Sequence, residues 1–159
     1  MERIVLGIDP GIADTGYGVI SVNGGRLECL EYGSIKTPPN LALPNRLSQL
    51  YQELTGLLIK YQPQAAAIEQ LFFNKNVKTA LIVGQARGVV LLALNQANVP
   101  IIDFSPAQVK RAVSAYGQAS KLQVQKMVQM MLKLKELPRP DDAADALAVA
   151  ICGANYRQY

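Results

Sequence analysis

RIVLGIDPGIADTGYGVISVNGGRLECLEYGSI, residues 3–35, decides the fold. The apolar run at its start ends on Asp9 and reads as a buried strand. Pro10-Gly11, followed by Thr15-Gly16-Tyr17-Gly18, predicts a tight glycine-rich turn. A second strand continues over residues 18–22, and Asn23-Gly24-Gly25 is a strong hairpin signal leading into a third strand over residues 26–35. Three antiparallel strands in a meander therefore open the chain.

Beyond a proline-bearing loop at residues 37–44, Leu47, Leu50, Leu54, Leu57 and Leu58 recur at helical spacing until Pro63 marks the stop. Residues 64–69 read as a fourth strand that ends on Glu69. The segment 77–98 is helical in pattern and apolar around more than one face, so this helix is either central or shared with a second subunit. A fifth strand over residues 99–104 precedes a helix starting near Pro106, whose missing N–H suits a first turn. Past a loop around Gly117, Ser120 opens a further helix carrying Val124, Met127, Val128, Met131, Leu132 and Leu134, with Pro138 and Pro140 breaking it. An Asp pair begins the last helix. No repeat, low-complexity tract or linker interrupts this order. The expected fold is α/β: a five-stranded mixed sheet, an antiparallel meander joined by parallel strands, flanked by helices in one domain spanning residues 1–159.

Composition restricts the chemistry. The chain has 159 residues, half of them hydrophobic, enough for one well-packed core. It contains no His and only two Cys, Cys29 and Cys152, far apart, which removes zinc sites, His-dependent triads and a disulfide framework. No secretory signal is visible and no apolar stretch reads as a clear membrane span, so a soluble cytoplasmic protein is expected. The net charge of +4, with Lys110, Arg111, Lys121, Lys126, Lys133 and Lys135 gathered in the later third, points to an anionic partner. Each of these cations taken alone is equally well read as part of a solvated helix face.

Against this background four acids stand out. Asp9 and Glu69 each end an apolar strand, while Asp142 and Asp145 open an apolar helix at a spacing that puts both on one face. Buried carboxylates persist only if paired, protonated or bound to a cation. Four converging oxygen ligands without imidazole suit Mg²⁺ or Mn²⁺, and the natural chemistry of such a site is phosphoryl-ester hydrolysis by an activated water. Singly, Asp9 is also a turn-forming residue before Pro-Gly and Asp142 a helix cap.

Gly7-Ile8-Asp9-Pro10-Gly11 with Thr15-Gly16-Tyr17-Gly18, Ile68-Glu69-Gln70 followed by Phe72, Gln108-Val109-Lys110 before Ser120-Lys121, and Asp142-Ala143-Ala144-Asp145-Ala146-Leu147-Ala148 resemble, in order and over nearly the whole chain, the RuvC family of crossover junction endodeoxyribonucleases. The resemblance implies a ribonuclease H-like fold, a homodimer, and paired Mg²⁺-dependent nicks that resolve four-way (Holliday) DNA junctions in recombination and repair. It also implies a branch-migration motor complex of RuvA and RuvB type as partner. It assigns catalytic metal binding to Asp9, Glu69, Asp142 and Asp145. Two ions about 3.5–4 Å apart would there activate the attacking water and stabilise the leaving oxygen.

The resemblance also favours Asp142 over its neighbour Asp141, which then becomes the helix cap at the positive end of the helix dipole. Asp103 is left as a structural or outer residue. For DNA contact the resemblance points to Lys110, Lys121 and Phe72, the last as a stacking residue; core packing is an equal alternative for Phe72 and Phe73. The helix over residues 77–98, with Leu81, Gln85 and Val89, is the expected dimer interface. Two other classes share features of this sequence. The Asp9-Pro10-Gly11 and Thr15-Gly16 turn is similar to the first phosphate loop of actin-like ATPases, but those need a second domain. A non-catalytic junction-binding module would not need four intact carboxylates.

Overall fold

Among the described residues, 2–71, 76–114 and 117–156 of a computed structural model, the chain forms five strands and five helices. In order these are β1 (Arg3–Asp9), β2 (Asp14–Asn23), β3 (Arg26–Lys36), α1 (Leu43–Tyr61), β4 (Ala65–Glu69), α2 (Val77–Gln96), β5 (Ile101–Phe104), α3 (Pro106–Ser114), α4 (Lys121–Met131) and α5 (Asp141–Asn155). They build one mixed sheet in the order β3-β2-β1-β4-β5. The β1–β2 and β2–β3 pairs are antiparallel, and β1–β4 and β4–β5 are parallel. The expected meander with its parallel extension is therefore present. Gly24 and Gly25, with φ of 56° and 84°, supply the left-handed pair that a two-residue hairpin demands.

Alternation along β1 and β4 divides the interior into two layers. Leu6, Ile8, Ala66 and Ile68 face α1 and α2, whose Leu50, Leu54, Leu58, Ala86, Val90 and Leu94 complete one core. Val5 and Ala67 face the opposite layer of α3, α4 and α5. Helix α5 is the centre of that second layer: every residue from Ala146 to Gly153 is buried, as Ala-rich composition permits. It lies on β1, β2 and β4.

How closely it lies is set by glycine. A Cβ at Gly16 would overlap the Asp142 carbonyl, one at Gly18 would stand 2.6 Å from Leu147 Cδ2, and one at Gly7 would stand 2.5 Å from the Ala150 nitrogen. These contacts correct the sequence reading of Thr15-Gly16-Tyr17-Gly18 as a turn. The turn is confined to residues 10–13, and β2 starts at Asp14, because Asp9 pairs with Gly16 and Gly7 with Gly18 in the antiparallel ladder.

Several boundaries also move. Helix α1 begins at Leu43, with Pro44 inside its first turn where no N–H is needed. Helix α2 stops at Gln96 and β5 starts only at Ile101, since Asn98 turns the chain with a φ of 55°. Helix α4 ends at Met131, well before Pro138; Lys133, at φ 53°, turns the chain away, so Leu134 lies beyond the helix. Asp141 is not the cap of α5: Pro140 holds that position and Asp141 and Asp142 fill the first turn, where their charges still meet the positive end of the helix.

Helix α2 is long and apolar enough to cross a membrane by length and composition alone. Here one face, Ala86, Val90, Ala93 and Leu94, is buried, and the helix packs on α1. Leu81 on its other face is 62% exposed, and Ile82 and Leu92 are exposed with it.

Candidate active site

The parallel pairing of β1 with β4 matches Ile8 to Ile68, so Asp9 and Glu69, one residue on, end adjacent strands. Two residues beyond Gly7 and Ala67, both side chains point to the α5 layer. Because the Asp142 carbonyl rests over Gly16, the ladder partner of Asp9, the first turn of α5 lands against the end of β1. Asp145, three residues further along the helix, shares the face of Asp142. As a result, carboxylate oxygens of Asp9, Asp142 and Asp145 lie within 4.8 Å of one another. Glu69 stands outside that group of three but is electrostatically coupled to Asp9 and Asp145.

All four acids resist ionisation. Burial, followed by the charges of Asp145, Asp142 and Glu69, pushes Asp9 up to about 7. Glu69 is raised by burial and then by Asp145, against the opposing charge of Lys110. Burial also raises Asp142, with Asp14 adding to it, and Asp145, where Lys121 opposes. Negative charges crowded at this spacing and half removed from water require a cation to coexist. A set made only of carboxylate oxygens, without nitrogen or sulfur, fits a hard divalent ion such as Mg²⁺ or Mn²⁺.

Beside the acids opens a cavity of about 300 Å³, whose walls include Glu69, Asp145, Lys110 and Lys121. Lys110 is carried by α3. Lys121 opens α4, where Ser120 and Gln123 form a reciprocal capping box that fixes the helix start. Its ammonium stands 3.2 Å from Asp141 and 3.7 Å from Asp145. Asp141 thus serves as an outer partner of Lys121, and it also accepts a hydrogen bond from Gln125 at 3.0 Å. The lysine contact holds the Asp141 carboxyl below its ordinary value.

Asp103 lies on the other face of the sheet, where Arg87 of α2 donates to its carboxylate. The expected interface residues Leu81 and Gln85 are exposed, whereas Val89 is half-buried and packs toward the α1–α2 core. Phe72 and Phe73 fall outside the described residues, as do residues 157–159 of the terminal tail. Asp14, unnoticed in the sequence, borders the site: it accepts a hydrogen bond from Ser34 at 2.8 Å and raises Asp142. Only its position at the start of β2, opposite Lys36, could have singled it out.

A family model, crossover junction endodeoxyribonuclease RuvC, matches residues 5–153. A crossover junction endodeoxyribonuclease RuvC of Syntrophomonas wolfei is 55% identical over 148 residues, covering 93% of this chain and 86% of that protein. The protein of the same name from Alkaliphilus oremlandii is 53% identical over 152 residues, covering 96% and 93%. The T. thermophilus RuvC solved in complex with a Holliday junction substrate superposes with a TM-score of 0.91 at 39% identity, over 96% of this chain and 93% of that one. The five-stranded mixed sheet with its helices is thus the ribonuclease H-like fold of these resolvases. A family match over almost the whole length, joined to identities above one half, places the chain in the RuvC family of crossover junction endodeoxyribonucleases.

Proposed function

We propose that this chain is a structure-selective endonuclease that resolves four-way DNA junctions by paired, symmetric nicks, as one nuclease domain acting within a homodimer. The observation that carries the reading is the convergence of Asp9, Asp142 and Asp145 within 4.8 Å, with Glu69 on the neighbouring strand and two lysines on the wall of the adjoining cavity. Two divalent ions, Mg²⁺ by preference and Mn²⁺ as substitute, would supply stabilisation of the attacking and leaving oxygens of a phosphodiester. The four carboxylates hold and orient that positive charge. Lys110 and Lys121 attract the DNA backbone and fix its register without reading sequence.

Helix α2 offers the second half of the mechanism. Its open face of Leu81, Ile82, Gln85 and Leu92 is apolar enough to bury against an identical helix, which would set two active sites in two-fold relation. A four-way junction of near two-fold symmetry then presents two strands of like polarity to two equivalent sites. Phe72, assigned by the family resemblance, would stack on an unpaired base at the crossover. The setting is cytoplasmic, with a branch-migration motor of RuvA and RuvB type delivering the junction.

The test is cleavage of a synthetic mobile four-way junction and a matched linear duplex, with Mg²⁺ or EDTA, by the wild type and by Asp9→Asn. Paired nicks in the junction alone, lost in EDTA and in the variant, are expected. Junction binding without nicking in Mg²⁺ or Mn²⁺ would overturn the enzymatic reading.

A further inference from the structure

The turn at residues 10–13 joins β1 to β2 immediately after Asp9, so its shape bears directly on where that carboxylate stands. Three consecutive carbonyls of this segment are each held by a threonine. Gly11 O accepts from the Thr15 hydroxyl at 2.6 Å, Ile12 O accepts from the Thr37 hydroxyl, and Ala13 O accepts from the Thr37 N–H at 3.1 Å. Thr15 belongs to β2 and is an internal brace. Thr37 comes from elsewhere: it follows the end of β3 and is only 5% exposed.

Thr37 is itself held. Arg46, in the second turn of α1, donates Nε to the Thr37 hydroxyl at 2.9 Å and Nη2 to the Thr37 carbonyl at 3.2 Å. The hydroxyl therefore donates to the turn and accepts from the guanidinium, which leaves its rotor one satisfied orientation. The planar fork grips both oxygens of one residue, which a lysine ammonium on a flexible stem does not reproduce.

We infer that Arg46 and Thr37 are positioning residues for the turn after Asp9, holding that carboxylate in register with Asp142 and Asp145 for metal binding. The inference rests on the reading of the acid cluster as a metal site. Asp142 and Asp145 reach the site on α5, seated on Gly16 and Gly7, and do not depend on this turn. Asp9 does. Asp9 is the last residue of the β1–β2 ladder and the turn begins at its carbonyl, so loosening the turn frees that end of the ladder while α5 keeps its seat on Gly7. Neither Arg46 nor Thr37 hydrogen-bonds to a carboxylate of the cluster among the described residues.

The test compares Arg46→Ala, Arg46→Lys, Thr37→Val and Thr37→Ser with the wild type. Three quantities are read: the rise in Tm on adding Mg²⁺, the Mg²⁺ concentration for half-maximal cleavage of a four-way junction, and junction affinity in EDTA across a salt series. Thr37→Val and Arg46→Ala are expected to raise the half-saturating Mg²⁺ about 10-fold, as loss of an outer-sphere support does, and to shrink the Mg²⁺-induced rise in Tm. Thr37→Ser keeps the hydroxyl and restores the wild-type value, and Arg46→Lys does not. Junction affinity in EDTA should be unchanged. If instead Arg46→Ala weakens binding in EDTA and flattens its salt dependence while Mg²⁺ dependence is unaltered, Arg46 is a phosphate contact and the inference fails. It also fails if Thr37→Val responds to Mg²⁺ as the wild type does. The melting arm needs no cleavage, so it decides the question even if the chain does not cut four-way junctions.

Discussion

Replacing Asp9 with Asn should stabilise the metal-free protein at alkaline pH while removing its response to Mg²⁺. Asp9 is carried from 3.8 to about 7, first by burial and then by Asp145, Asp142 and Glu69. Between those values the folded chain keeps a proton that the unfolded chain has released, so stability falls as pH rises through the interval. Taken whole, the displacement corresponds to about 4 kcal/mol against the ionised side chain above both values. Relaxation of the surrounding acids reduces this; half of it, about 2 kcal/mol, is ~4–8 °C in Tm for a chain of this size. Asn carries no charge and escapes the loss. In EDTA at about pH 8, Asp9→Asn should therefore melt several degrees above the wild type, and the gap should close below about pH 3, where the acid is largely protonated in both states. With Mg²⁺ the order reverses at high pH, because bound metal stabilises the chain that binds it more tightly. Circular-dichroism melts at both pH values, with and without Mg²⁺, measure all of this. If Asp9→Asn were less stable than the wild type in EDTA by the same amount at both pH values, Asp9 would be a structural partner of the Pro10-Gly11 turn and the electrostatic argument would be wrong.

Gly16→Ala drives a methyl into the Asp142 carbonyl; overpacking of this kind costs about 1–3 kcal/mol, and both the Tm and the Mg²⁺-induced rise in Tm should drop. Lys121→Ala should lower the slope of log K for junction binding against log salt by about 0.9, the value for one lost phosphate contact, as read by a fluorescence-anisotropy salt series; an unchanged slope removes Lys121 from the DNA path. Leu81, 62% exposed on the open face of α2, should carry the dimer contact, so Leu81→Glu should sediment as a monomer at micromolar protein while keeping its Tm in EDTA within a few degrees. A persisting dimer would move the interface to another surface.

Much of this architecture was legible in the chain because periodicities of two and near 3.6 mark which faces are buried. The meander, the order of helices and strands, and all four acids were placed by pattern. What pattern missed was close backbone approach. Gly16 and Gly18 carry the composition of a turn, and only the register with Asp9 and Gly7 shows that they are strand residues beneath a helix. The resemblance that favours Asp142 as a ligand leaves Asp141 as the cap, yet Pro140 takes that position and the Asp141 side chain pairs with Lys121. Pairings across the fold, such as Arg87 with Asp103 or Arg46 with Thr37, join residues 16 and 9 positions apart that share no local signature. Convergence of Asp9 with Asp142 and Asp145, from opposite ends of the chain, followed from chemistry and family resemblance, since no spacing rule spans that distance.

The glycine seat of α5 has a bearing on how this protein can vary. Where side chains separate a helix from a sheet, substitutions can bring the two layers together or push them apart. At Gly7 and Gly16 the helix backbone already rests on the strand backbone, so each replacement adds atoms to the gap and drives the layers in a single direction. Sequence drift at these positions pushes α5 away from the strands that carry Asp9 and its ladder partner. Glycine at these two positions thus keeps the first turns of α5, and the acids they carry, close against the end of β1.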